Sequence, residues 1–184
     1  LQNPKSTVDF DQGLADQIEE RVASVGADGK LVFDAQGNVY QVTLLEKLLV
    51  PLLAKLGNFV PDGGIWLNTQ RPEWNDANNA LVGNGLSMVT LFYLRRYIRF
   101  LADLLAKETA AAKISNEVTD WLADTASVMG TLADQLSGEG ISPSQRFDTM
   151  QALGRAACKY RQAVYDGGFS GQADVGPATI RQLL

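Results

Sequence analysis

The stretch Leu86-Ser-Met-Val-Thr-Leu-Phe-Tyr-Leu-Arg-Arg-Tyr-Ile-Arg-Phe-Leu-Ala-Asp-Leu-Leu-Ala-Lys107 decides the fold class. It carries apolar residues at 86, 88, 89, 91 to 94, 97, 98, 100, 101, 104 and 105 with no Gly or Pro among them, which predicts a helix. Its apolar stripe is too wide for one contact face, so the helix is expected to be buried on two or more sides. A helix of that kind needs other helices around it. Upstream, Leu44, Leu45, Leu48, Leu49, Leu52, Leu53 and Leu56 mark a second strongly apolar helix, kinked or restarted at Pro51. Leu14, Ile18, Val22 and Val25 form an amphipathic stripe between a cap at Ser6 or Asp9 and a stop at Gly26.

Two narrower helices are expected downstream. Ile114, Val118, Trp121, Leu122, Thr125, Val128, Met129, Leu132 and Leu136 lie opposite Glu117, Asp120 and Asp124, with Ser115 as N-cap. Ser142-Pro143 reads as a cap and first-turn proline for Phe147, Met150, Leu153, Ala157, Tyr160 and Val164, ending at Gly167-Gly168. Leu31–Asp34 and Val39–Val42 flank Ala-Gln-Gly-Asn and predict one hairpin; its calcium-loop flavour lacks the later Glu. The expectation is a mainly α, single-domain helical array of about five helices with one small β-hairpin over residues 1–184. No repeat of fixed period or low-complexity tract interrupts it.

Sixteen Lys and Arg against 21 Asp and Glu give a net charge of −5 and a pI near 4.7, the wrong sign for a nucleic-acid partner. There is no histidine and one cysteine, Cys158, which excludes His-based metal sites, Ser-His or Cys-His nucleophile pairs and an internal disulfide. No metal or cofactor is expected, and any general acid or base must be a carboxylate, Lys or Tyr. No run reaches the length of a membrane span and no secretory pattern opens the chain, so no membrane partner is expected and a cytoplasmic location is favoured. The start Leu1-Gln-Asn-Pro4 and the unfinished helical pattern from Pro177 read as the ends of a piece of a longer protein, whose remainder is then a partner.

Residues 57–85 break the helical pattern with Gly57, Pro61, Gly63, Gly64, Pro72, Gly83 and Gly85, and are expected to form one long functional loop. Glu73 and Asp76 stand three apart among Trp66, Arg71, Trp74, Asn75, Asn78 and Asn79. Flat rings for a pyranose face, amides for hydroxyls and a carboxyl able to act as acid suit a carbohydrate site. The same residues also suit a loop anchored by its tryptophans, with Asn and Asp capping turns. Arg95, Arg96 and Arg99 form a basic strip in which Arg99 and Asp103 are one turn apart and able to pair, and Cys158 reads as a small core or surface residue.

The run Glu73-Trp-Asn-Asp-Ala-Asn-Asn-Ala-Leu-Val-Gly83, followed by Gly85 and the helix with Tyr93, Leu94 and Arg95, resembles a segment of inverting glycoside phosphorylases of the cellobiose phosphorylase type. Their segment reads Asp-Trp-Asn-Asp-Gly-Met-Asn-x-Val-Gly. The resemblance covers about thirty of the 184 residues. It implies part of an (α/α)6 toroid acting on glycosidic bonds, with Glu73 as general acid and Trp74, Asn75 and Asp76 shaping the site. Glu73 replaces the family's Asp, as in the related maltose and trehalose phosphorylases, and Ala77-Asn78 replaces Gly-Met. The histidine expected among phosphate-binding residues is missing, so phosphorolysis is not supported; an inverting hydrolase needs a second carboxylate about 6.5–9.5 Å away, for which Asp76 and Asp62 are the candidates near in sequence. Five helices supply less than half a toroid. The 184 residues alone are therefore expected to be inactive, and the width of the 86–107 stripe points to exposed apolar surface or self-association. The alternative is a non-catalytic helical packing or interaction domain.

Overall fold

The computed structural model describes residues 10–67, 85–138 and 140–184. Among them the chain is mainly helical, with six α-helices, one 3-10 turn and two small antiparallel sheets. Helix α1 spans Gln12–Val25 and runs into the 3-10 turn Gly26–Lys30. Asp11 caps it by accepting from the Leu14 amide; Ser6 and Asp9 lie outside the described residues. The predicted 31–42 hairpin reduces to one bridge, Phe33 to Val39. Asp34 Oδ1 accepts from the amides of Gln36 and Asn38, and Gly37 takes the positive φ that the turn requires.

Helix α2, Leu44–Leu56, is the centre of the core and continues through Pro51. Leu49, Leu52 and Leu53 have no exposure, and around them lie Ile65, Leu101, Ile114, Val118, Trp121, Leu122 and Ile180. Helix α3 is Met88–Leu105, α4 Asn116–Leu136 and α5 Pro143–Gly167. The start of α5 is a full capping box between Ser142 and Gln145, with Pro143 in the first turn, and Gly168 ends it at φ 70°. Its buried residues are Thr149, Leu153 and Ala156, so the expected stripe is rotated and Phe147 is exposed. The short α6, Pro177–Arg181, sends Arg181 Nη1 to the carbonyls of Leu105 and Glu108, tying off the end of α3.

Three expectations need correction. Residues 57–67 are not loop: β1 (Phe59–Val60) and β2 (Gly64–Trp66) join β3 (Leu86–Ser87) in a three-stranded sheet in that order, and residues 68–84 lie outside the described residues. A second sheet pairs β4 (Ala112–Ser115) with β5 (Gln172–Val175), so the single-hairpin expectation undercounts the β structure. Finally, α3 is buried on one side only, through Leu94, Leu101 and Leu105. Val89, Phe92, Tyr93, Phe100 and Leu104 are 49–66% exposed.

Ser115 marks the start of α4 without capping it, because its hydroxyl donates to the Glu46 carboxylate instead. The six helices do not by themselves describe a closed (α/α)6 ring. No helix among the described residues is long and apolar enough to cross a membrane.

Candidate functional site

Residues 57–67 and 85–88 frame the segment that sequence singles out. Val60-Pro61-Asp62-Gly63 turns β1 into β2, with the Gly63 amide donating to the Val60 carbonyl. Asp62 has φ 59°, a left-handed conformation that Asp tolerates better than most side chains. Ile65 then faces the core at 1% exposure, while its neighbour Trp66 is half-buried on the opposite face. Gly64 allows β3 to approach: a Cβ there would meet the Ser87 carbonyl oxygen at 3.2 Å and Met88 Sδ at 3.3 Å. At Gly63 it would meet Leu86 Cδ1 at 2.6 Å.

β2 and β3 pair at Ile65 with Ser87 and Trp66 with Leu86, and the Leu67 amide donates to the Gly85 carbonyl at 3.1 Å. The chain thus leaves for residue 68 and returns from residue 84 through adjoining backbone. Ser87 immediately caps α3, accepting from the Thr90 amide at 3.1 Å. Of the predicted site residues, Trp66 stands in this frame. Arg71, Glu73, Trp74, Asn75, Asp76, Asn78 and Asn79 lie outside the described residues. Asp62 is held at the hairpin turn by Arg146, 2.7 Å away, in an ion pair open to solvent. Arg99 and Asp103 do not pair, and Arg96 lies over the Tyr93 ring, 5.7 Å from its centroid. Cys158 is exposed and Arg161 Nη2 approaches its sulfur at 3.2 Å.

A buried polar cluster elsewhere was not anticipated. Glu46, 2% exposed, accepts from the Ser115 amide at 2.9 Å and from its hydroxyl at 2.6 Å. The carboxylate therefore sits at the α4 N-terminus, where free amides and the helix dipole favour negative charge. Tyr40 Oη lies 3.1 Å from Ser115 Oγ, and its ring stacks on Phe169 with centroids 4.5 Å apart. In the first turn of α4, Glu117 Oε1 accepts from the Ser170 hydroxyl at 2.6 Å and its amide at 2.9 Å.

Burial pushes the Glu117 carboxyl up, but the hydrogen bonds from Ser170 and from its own backbone outweigh that, and the net shift is below the ordinary glutamate value. Burial, followed by the negative charges of Glu46 and Glu117 and by Tyr165, raises the Tyr160 hydroxyl. Tyr160 stacks on Trp121 with centroids 4.3 Å apart. Glu46 spends both oxygens on Ser115, and the Glu117 oxygen that is hydrogen-bonded serves Ser170, so this cluster fastens β4, α4 and the 169–171 turn together. The sequence signal for it was Thr43-x-x-Glu46, a capping-box spacing that places a carboxylate on the same helical stripe as Leu49 and Leu53.

Among the described residues no group of three or more Cys, Asp or Glu could hold a metal ion. An apolar cavity of about 150 Å³ lies between the end of α2, β1, α3 and α4, lined by Leu56, Phe59, Leu91, Leu94, Arg95, Ile98 and Met129. No family model matches the sequence, and no curated protein matches it.

Proposed function

We propose that the chain is part of a carbohydrate-active protein acting on glycosidic bonds, an (α/α) toroid relative in which Glu73 is the general acid. The observation that supports this best is the frame of residues 68–84. After residues 77–86, the Glu73-Trp-Asn-Asp segment is followed by a capped, largely apolar helix, the order seen in the phosphorylase segment it resembles. In this proposal Asp76 shapes the site around Glu73. Trp66, Arg71, Trp74, Asn75, Asn78 and Asn79 bind sugar, and the second carboxylate comes from outside these residues. Asp62 is a poor choice for that role, since its carboxylate is engaged by Arg146.

A general acid must be protonated before it donates to a leaving oxygen, and a positioned acid contributes about 10²–10⁴-fold in rate. In the complete protein, Glu73→Gln is expected to lower turnover of an unactivated glycoside by at least about a hundredfold, with the melting temperature unchanged and a smaller loss on substrates with a good leaving group. Unchanged turnover together with loss in Asp76→Asn transfers the acid role to Asp76. Indifference to both leaves the Trp-Asn-Asp run a structural element.

A second reading, a non-catalytic helical interaction domain, draws support from the exposed apolar side of α3 and from α1, which has no buried residue.

A further inference from the structure

Where helices α2, α3 and α4 meet strand β1, the cavity of about 150 Å³ opens to solvent. From α3 it takes Leu91, Leu94 and Ile98, at spacings of three and four, which is one side of the helix and not the side that exposes Tyr93 and Phe100. Leu56, Phe59 and Met129 supply the other walls. The lining is wholly apolar, so Arg95, which also borders the cavity, does so by its methylene stem and carries its guanidinium outward.

Size limits what can enter. Apolar cavities of about 150 Å³ accept a benzene-sized guest, so a single ring or a chain of about six carbons fills this one and a long acyl chain overfills it.

Charge limits it further. Arg95 is exposed and makes no hydrogen bond or ion pair among the described residues. Arg99, one turn on, adds a second positive charge on the same side, whereas Asp103, the single carboxylate of α3, stands two turns beyond Arg95, about 12 Å along the axis. Acids of the neighbouring elements do not fill the gap. Asp62, after β1, is paired with Arg146. Asp124 and Asp134, five residues either side of Met129, are turned about 140° from it around α4, and Asp124 is paired with Lys159. In a chain of net charge −5 the mouth of this cavity is thus locally positive.

We infer that the cavity binds a small amphiphilic carboxylate, its apolar body held between α3 and α4 and its carboxylate on the Arg95 guanidinium. One guanidinium beside an apolar wall matches one carboxylate in charge and in its two-pronged geometry, while a phosphate dianion needs more donors than a single arginine brings. The inference uses no residue of 68–84 and stands apart from the carbohydrate proposal.

Carbon-13 labelling of the methionine methyls reads it directly, since of Met88, Met129 and Met150 it is Met129 that lines the cavity. Titration of the 184-residue chain with millimolar benzoate at constant ionic strength is expected to shift Met129 saturably and to leave Met150 in place. Benzyl alcohol, the neutral counterpart, is expected to bind about fivefold more weakly. Arg95→Gln, at an exposed position, is expected to weaken benzoate about fivefold, to leave benzyl alcohol unchanged and to keep the far-ultraviolet spectrum. Leu91→Phe, which fills the cavity from within, is expected to abolish binding of both. A Met129 methyl that does not respond to benzoate overturns the inference, and so does benzoate binding that persists in a folded Leu91→Phe chain. Equal affinity for benzoate and benzyl alcohol, or indifference of benzoate to Arg95→Gln, overturns it by removing the carboxylate from the recognition. Phenyl phosphate binding more tightly than benzoate, or decanoate more tightly than hexanoate, overturns it by placing the ligand in another class.

Discussion

Glu46 shows how one side chain can join three parts of a fold. Its amide is the one that the Thr43 cap receives, at 3.2 Å, while its carboxylate crosses to the Ser115 amide and hydroxyl at the start of α4. Thr43 Oγ1 in turn donates to the Lys113 carbonyl on β4, so α2, β4 and α4 are fastened within four residues of α2. Removing the carboxylate leaves the Ser115 amide buried without a partner and opens a void. Glu46→Ala is therefore expected to cost about 2–4 kcal/mol, and Glu46→Gln, which keeps one acceptor, about half that. Urea denaturation of the two variants measures it; equal costs would mean that the carboxylate itself, not the filled volume, is what matters. Legibility at this scale is uneven. Ser142, Pro143 and Gly168 do what their types and spacing imply, because capping is decided within four residues. Ser115 does not, because a carboxylate 69 residues away takes its hydroxyl.

Among the elements, the long leucine and valine periodicities located α1 to α5 within a few residues, since a helix repeats its signal over several turns. The strands escaped notice for the opposite reason. β1 to β5 are two to four residues long, too short for alternation to register, and Ala-Lys-Ile-Ser has little β character at all. The turn Val60-Pro61-Asp62-Gly63 did carry a signal, the Pro-Asp-Gly order typical of a tight turn, which was absorbed into a supposed long loop. Likewise, a wide apolar stripe states that a helix has two faces to cover but not where the second cover comes from. The α1 unit gives a sharper test of packing. A Cβ at Gly29 would lie 2.4 Å from the Val22 backbone nitrogen and 2.6 Å from the Arg21 carbonyl carbon, neither of which can yield as a flexible side chain does. Gly29→Ala is expected to pry the 3-10 turn from α1, disturbing the Arg21 Nε bond to the Gly29 carbonyl. Hydrogen exchange in residues 12–25 should quicken at least about tenfold while α2 and α4 keep their protection. Loss of protection throughout would make α1 part of the same cooperative unit as the core.

For the whole molecule, the decisive arrangement is that the Leu67 amide meets the Gly85 carbonyl, with Trp66 and Leu86 paired behind them. Whatever residues 68–84 do, their two anchorage points are fixed about one strand spacing apart, close to 5 Å, by bonds that belong to the scaffold. The segment is in effect a ring, and rings obey a lenient law: doubling the length of a closed stretch costs only about 0.6 kcal/mol of chain entropy. Inserting a short Gly-Ser run between residues 80 and 81 should hence shift the thermal midpoint by no more than a degree or two while abolishing any chemistry that depends on Glu73 and its neighbours. A large fall in the midpoint would show that the segment lends the core its own packing. If the shift is small, evolution or a protein engineer can rewrite whatever the stretch between Trp66 and Leu86 carries as an interchangeable cassette, leaving the rest of the chain as an unaltered holder.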